Sequence, residues 1–354
     1  MAAPTADVLI VGGGLAGSLL ALELRALGAA VTLIDAEPAD GSSSATAISY
    51  GALPGWPLAA TPLARLAAGA SQHWRQLERR HGPLGWQRRA LRLSGGNRAL
   101  ALAARLAVLP FAQVDTGLFR VRMPAALRAA AVTLRCQRVE ALRAIAGGWQ
   151  LQLSDGSVCS AAQVVLAAGA RVHALWPGLP QRLRQSWASV LALSRMPEGL
   201  GPGAAWLPQT FARVALERRA SALQQPAWVV DPGLVPWGSG ALVGQHTWIP
   251  PEAMAGAAPD APLCAAQLRE ALAARTPWRL PDGVLRQAAV AFCSSGAPLV
   301  GPVAGAPGLW LFCGFSAAFS QVPVLAPLLA RSLRSDEAVA SRRLQQLGVW
   351  SAGG

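Results

Sequence analysis

The chain has 354 residues, of which 53% are hydrophobic and only 14% charged, and its 31 basic against 18 acidic residues give a formal charge of +13. This composition excludes a disordered polymer or a staple-dependent mini-protein and predicts a compact chain of two closely packed lobes, large enough to bury a sizeable cofactor. Every basic residue is Arg and none is Lys, so the basicity travels with a GC-rich coding bias as much as with an anionic partner.

Five cysteines at wide spacing, Cys136, Cys159, Cys264, Cys293 and Cys313, form no C-x-x-C pair and indicate neither a disulfide framework nor a zinc site; no metal is expected. A reducing, cytoplasmic setting fits that pattern. The segment Met1 to Asp7 lacks the positive residues of a signal peptide.

Asp7 to Val11 reads as a short buried strand, followed by Gly12-Gly13-Gly14-Leu15-Ala16-Gly17, a G-x-G-x-x-G run, and by helical apolar spacing from Ser18 to Leu27. Gly28 ends the helix, Val31 to Ile34 forms the next strand, and Asp35 stands at its carboxyl end. Each residue type has a task in dinucleotide binding. Gly12 permits the tight turn, Gly14 lets backbone approach a pyrophosphate, and Gly17 lets helix and strand pack closely. The helix N-terminus stabilises the phosphates, with Leu15 and Ala16 in its first turn, while Asp35 accepts from ribose hydroxyls and disfavours a 2′-phosphate. The unit leaves FAD and NAD both open.

Downstream comes a loop of small hydroxyl residues, Gly41-Ser42-Ser43-Ser44-Ala45-Thr46-Ala47-Ile48-Ser49-Tyr50-Gly51. Val132 to Arg143 reads as a strand pair region and Trp149 to Val158 as a hairpin turning at Asp155-Gly156. Val164 to Ala170 reads as a buried strand ending in glycine. Ser189 to Leu193 and Ala241 to Thr247 read as further strands. From Gly296 to Ala330 no residue is charged, which matches the length of a membrane span. Five prolines divide the run, so buried cofactor-binding core is the expectation. Within it, Gly314-Phe315-Ser316 follows a strand and precedes an apolar helix through Leu333.

These features together resemble the D-amino-acid-oxidase-like superfamily of flavin oxidoreductases. The likeness is carried by residues 7 to 51, 160 to 172 and 296 to 333. It implies FAD as cofactor and an α/β fold: a Rossmann-like FAD-binding domain of the glutathione-reductase type with an interleaved α+β substrate domain. The implied division is 1–75, 130–185 and 290–340 for FAD binding, and 76–129 and 186–289 for substrate. By pattern it also carries over a cofactor role for Ser43, Ser44 and Thr46, for Val139 near the adenine, for Ala168 and Gly169 under the cofactor, and for Gly314, Phe315, Ser316 and Ala317 at the flavin. Tyr50 and His246 fall in segments that the resemblance places near the flavin and are the candidate catalytic residues, each with packing as the alternative.

The chain departs from that family at three places. The Arg that holds a substrate carboxylate just before the G-x-P segment is missing from Val290-Ala291-Phe292-Cys293-Ser294-Ser295; Arg286 upstream substitutes only if the strand register differs. Ala317, Ala318 and Phe319 add bulk at a glycine-rich helix entry. The Lys that promotes oxygen reaction in sarcosine-oxidase-like members is absent. Some relatives attach flavin through a Cys near Cys293, where a buried core residue is the plainer reading. Thirteen tryptophans lie mostly in the substrate segments, and Arg79-Arg80-His81 with Arg88-Arg89 and Trp86 form the densest basic and aromatic cluster. The resulting expectation is oxidation of a C–N bond in an amine or amino-acid-like small molecule, with oxygen or another acceptor. A tRNA wobble-uridine-modifying flavin oxidoreductase, which would make tRNA a partner, and a non-catalytic flavoprotein binding or assembly factor are the rival readings.

Overall fold

A computed structural model describes residues 6–36, 44–201, 203–334 and 338–350. Its first sheet has eight strands. Five of them run parallel in the order Leu309–Cys313, Val158–Leu166, Ala6–Val11, Val31–Asp35 and Thr133–Cys136. Buried on both faces, these strands have to be near-continuous apolar runs. Leu9 and Ile10 illustrate this, adjacent in sequence, both fully buried, and packed into different core clusters on opposite sides of the sheet.

On one side, Val8, Ile10, Val31, Leu33 and Val165 meet the helices Leu15–Ala26, Ala70–His81, Thr116–Ala129 and Ala318–Arg334. On the other, Leu9, Val11, Ile34, Val164 and Leu166 meet the strands Val139–Ile145 and Gly148–Leu153. The predicted hairpin forms with Val158 opposite Gln152, and its turn is held by Ser157 N–H donating to Asp155 Oδ1. The predicted strand pair at 132–143 does not pair with itself. Thr133–Cys136 extends the parallel sheet beside Val31–Asp35, while Val139–Ile145 joins the strand Gly148–Leu153.

A second sheet of six strands runs in the order Gly283–Cys293, Leu183–Leu193, Gly240–Ile249, Ala227–Trp237, Ala205–Pro208 and Leu91–Ser94. Its inner face carries Ala188, Val190, Leu242 and Ala288 against Ala47 and Ile48. Its outer face carries Leu191, Leu193, Ala241 and Val243 against the helix Ala261–Ala273. A small third sheet, Ala52–Pro54, Phe111–Val114 and Trp86–Arg88, lies at the junction. The uncharged run 296–330 becomes two strands, Leu299–Pro302 and Leu309–Cys313, and most of the helix Ala318–Arg334. Among the described residues no helix is long and apolar enough to cross a membrane.

Phe319 shows where the extra bulk of the helix entry goes. Its ring stacks on Trp74 at 5.9 Å, meets Phe119 edge-on at 6.0 Å, and its carbonyl accepts from Trp74 Nε1 at 2.9 Å. The side chain turns into the helical layer, away from the sheet's carboxyl edge. Trp74→Ala removes this fully buried anchor and is expected to destabilise the protein by about 3–5 kcal/mol in denaturant titration; a loss below about 1 kcal/mol contradicts the packing role.

Candidate active site

The carboxyl ends of the parallel strands converge on one edge. Gly12 N–H donates to Ile34 O at 2.8 Å and Ala167 N–H to Val11 O at 2.8 Å. A Cβ at Gly12 would lie 2.5 Å from Ala167 O, and one at Gly17 only 1.9 Å from Gly12 O. Both positions therefore require glycine, and the second brings the helix start against the strand end. The N-cap of the helix Leu15–Ala26 is Gly14, which has no capping side chain, and the first turn has no acid, so the N–H groups beyond Leu15 suit an anionic ligand.

Two side chains brace this loop. Asp35 Oδ2 accepts from Gly13 N–H at 2.5 Å, and Thr46 Oγ1 accepts from Leu15 N–H at 3.0 Å. Ser44 stabilises the turn that carries Thr46 by accepting from Ala47 N–H at 3.2 Å. Ser43 lies outside the described residues. Ala168 and Gly169 follow Ala167 at the same edge, and Gly169 opens a short 3-10 turn with φ of 54°. Gly314 continues the neighbouring parallel strand with φ of 82°, and a Cβ there would meet Cys293 Sγ at 2.6 Å. Phe315 packs on Phe312. Val139 is buried in the cluster beneath this edge with Ile34 and Val11.

The second sheet roofs the edge and is tied to it by polar contacts. Gln185 Nε2 donates to Ala170 O, and Arg213 donates to Ser316 O at 2.9 Å. Arg213 also pairs with Glu217 at 2.8 Å. Asp231, almost fully buried, accepts from Ala212 and Arg213 N–H at 2.5 and 3.0 Å and so caps the helix Ala212–Arg218. On the other flank, Thr116 Oγ1 donates to Ala47 O at 3.0 Å and accepts from Trp237 Nε1 at 3.1 Å.

Tyr50 enters this roof. A Cβ at Gly233 would lie 3.0 Å from its hydroxyl, which is buried and faces the Gly244 backbone. Burial, and secondly the Asp231 carboxylate, push its pKa well above the usual tyrosine value. The hydroxyl thus keeps its proton at physiological pH and serves as a donor rather than a base.

His246 is placed elsewhere. Its ring stacks on Trp228 at 5.4 Å, and its Nδ1 lies 3.7 Å from Cys264 Sγ on the outer helix. It therefore faces away from the cofactor edge. Cys293 and Cys313 lie beneath Gly314, and burial pushes the Cys293 thiol up to about 12. A thiol so raised is a core residue and a poor nucleophile.

Arg286 is the upstream arginine whose use hinges on the strand register, and the register turns it inward. It pairs across from Val190 and shares the inner parity of Ala288. Its guanidinium lies 5.4 Å over the Trp237 ring, within the concave face of the roof.

Two outcomes are expected. Gly17→Ala should abolish retention of the dinucleotide, read as loss of visible absorbance after gel filtration; retention equal to the wild type contradicts the close-approach role. Burial lowers the pKa of all four histidines, His73, His81, His173 and His246, from 6.5. Each then takes up a proton more readily when unfolded, so stability is full above pH 6.5 and falls as pH drops below it. His246→Phe should flatten that acid slope in denaturant midpoints measured across the range, and an unchanged slope contradicts the assignment.

Known proteins share this fold. A family model described as FAD dependent oxidoreductase (DAO) matches residues 7–123 and 109–332. No curated protein matches the sequence. Among solved structures, glycine oxidase from Geobacillus kaustophilus superposes with a TM-score of 0.70 at 18% identity, covering 94% of this chain and 96% of that one. Iminodiacetate oxidase from Chelativorans sp. BNC1 gives 0.67 at 19%, covering 92% and 94%, and L-proline dehydrogenase from P. horikoshii 0.70 at 11%, covering 96% of each. At these identities the structures show the fold, and the family model, which matches nearly the whole chain, shows that it belongs to the DAO family of FAD-dependent oxidoreductases.

Proposed function

We propose that this protein oxidises the carbon–nitrogen bond of a small amine that carries a carboxylate. The observation that supports this reading is Arg286, whose guanidinium lies within the roof's concave face although the family's arginine position before the G-x-P segment is vacated. A planar, permanently charged fork there suits a carboxylate. Structural neighbours named for glycine, iminodiacetate and L-proline act on donors of that chemistry.

The residues at the carboxyl edge fit FAD. Gly12 and Gly17 let the helix start over the strand end, Gly14 would let the pyrophosphate approach, the helix start from Ala16 on would offer N–H groups beside Leu15, whose own N–H is held by Thr46, and Asp35 would take the ribose. Thr46 and Ser44 hold the loop beside it, and Val139 with Ala168 and Gly169 forms the floor. Gly314, Phe315, Ser316 and Ala317, at the end of the neighbouring strand, would supply the backbone beside the flavin. When bound, FAD supplies the two-electron redox step. The chain's own part is positioning: Arg286 pairs with the carboxylate, Tyr50, buried behind Gly233, braces the roof, and the roof excludes water.

Arg286→Gln is expected to raise KM about tenfold to a hundredfold for carboxylate-bearing amines, the loss of one charge-assisted hydrogen-bond pair, with kcat changed much less. Simple amines without a carboxylate should show little change. Equal effects on both donor classes in anaerobic flavin-reduction kinetics would count against the anchor.

A further inference from the structure

Charge is unevenly distributed along the chain. Between Gly41 and Val114 there are nine arginines and one acid, Glu78, and that carboxylate is engaged by Leu84 and Trp86 N–H at 2.7 and 2.8 Å. This one segment therefore holds eight of the thirteen net positive charges.

Within it lies the helix Arg98–Arg105, capped by Asn97, with a single fully buried residue, Ala104. Arg98, Leu102, Arg105 and Leu106 fall at i, i+4, i+7 and i+8 and share one stripe. Leu102, Leu106 and Val108 are 54%, 64% and 68% exposed. Gly55 N–H donates to Pro110 O at 2.8 Å, which brings in the adjoining loop with Leu58, itself 60% exposed. Leu102 and Leu106 lie one helical turn apart, with Val108 two residues on, and aliphatic side chains exposed this close together mark an interaction surface. The inner side of the helix joins the same cluster as Val190, Leu242 and Ala288, so the surface is the outside of the substrate lobe.

We propose that this helix and the turn after it dock on an anionic lipid bilayer, with Leu58, Leu102, Leu106 and Val108 entering the acyl boundary and Arg98 and Arg105 holding lipid phosphates. Interfacial helices combine an apolar stripe with arginines whose aliphatic stems lie along it, and anionic headgroups complement the charge of the segment. A second copy would place like charges face to face. A nucleic acid would gain the phosphates but no stacking from aliphatic side chains. The proposal is independent of the donor reading above.

The test is co-sedimentation of the FAD-loaded protein with phosphatidylcholine vesicles, with and without about 30% phosphatidylglycerol. Binding to the anionic vesicles alone is expected. Leu102→Glu combined with Leu106→Glu should weaken it about tenfold or more, and Arg98→Gln with Arg105→Gln should weaken it and remove its salt dependence. Retained flavin absorbance certifies folding, and the single exposed changes Val108→Glu and Leu58→Glu repeat the test should the double variant fail to load. Equal binding to neutral vesicles, no binding to either, or binding indifferent to these substitutions overturns the proposal. So does a concentration-dependent dimer, or retention on RNA, that the glutamates abolish or leave intact while vesicles are ignored.

Discussion

The approach of Gly17 to Gly12 O sets the geometry on which everything else depends. A Cβ at Gly17 would sit 1.9 Å from that oxygen, so only glycine lets the first helix start directly over the first strand's end. With that contact made, helix N–H groups point into the crevice beyond the carboxyl ends of Ala6–Val11, Val31–Asp35, Val158–Leu166 and Leu309–Cys313. Parallel α/β sheets bind dinucleotides in that crevice because dipole, unpaired N–H groups and neighbouring strand ends coincide there.

The roof depends on the same edge. Gln185 and Arg213 each carry a hydrogen bond from the second sheet, or its flank, to backbone at the first sheet's edge, and Trp237 of the second sheet donates to Thr116 at the start of a first-layer helix. None of these contacts is large in free energy, and their role is registry. They hold the concave face bearing Tyr50, Trp237 and Arg286 over the carboxyl edge of the first sheet. The bulky helix entry does not obstruct this arrangement, since Phe319 is absorbed by Trp74 and Phe119 on the far side of the backbone.

Much of the first lobe was legible in the sequence because its signals are local. Asp7 to Asp35 combines a buried strand, glycines at fixed offsets, helical spacing and a terminal acid, all within a few turns of chain. The Asp155-Gly156 hairpin was legible for the same reason. Pairing partners were not: Val132 to Arg143 holds two strands whose partners, Val31–Asp35 and Gly148–Leu153, are chosen by tertiary packing. Side-chain direction in the roof was harder still. Strict alternation from Leu242 puts His246 on the inner face, but register shifts between Ser189 and Leu191 and between Val230 and Gly233 turn it outward to Cys264. Arg286 was visible as a residue, yet its reach over Trp237 depends on a pairing register that only the folded sheet defines.

The proposed reaction is reduction of FAD, held by this fold, by a carboxylate-bearing amine. Anaerobic titration of the purified yellow protein with a panel of amino acids, N-substituted glycines and simple amines tests it most directly, with bound flavin released and identified afterwards. At least one carboxylate-bearing amine is expected to bleach the flavin, and the released cofactor is expected to be FAD. A protein that holds FAD but is bleached by none of them, or only by amines without a carboxylate, would contradict it.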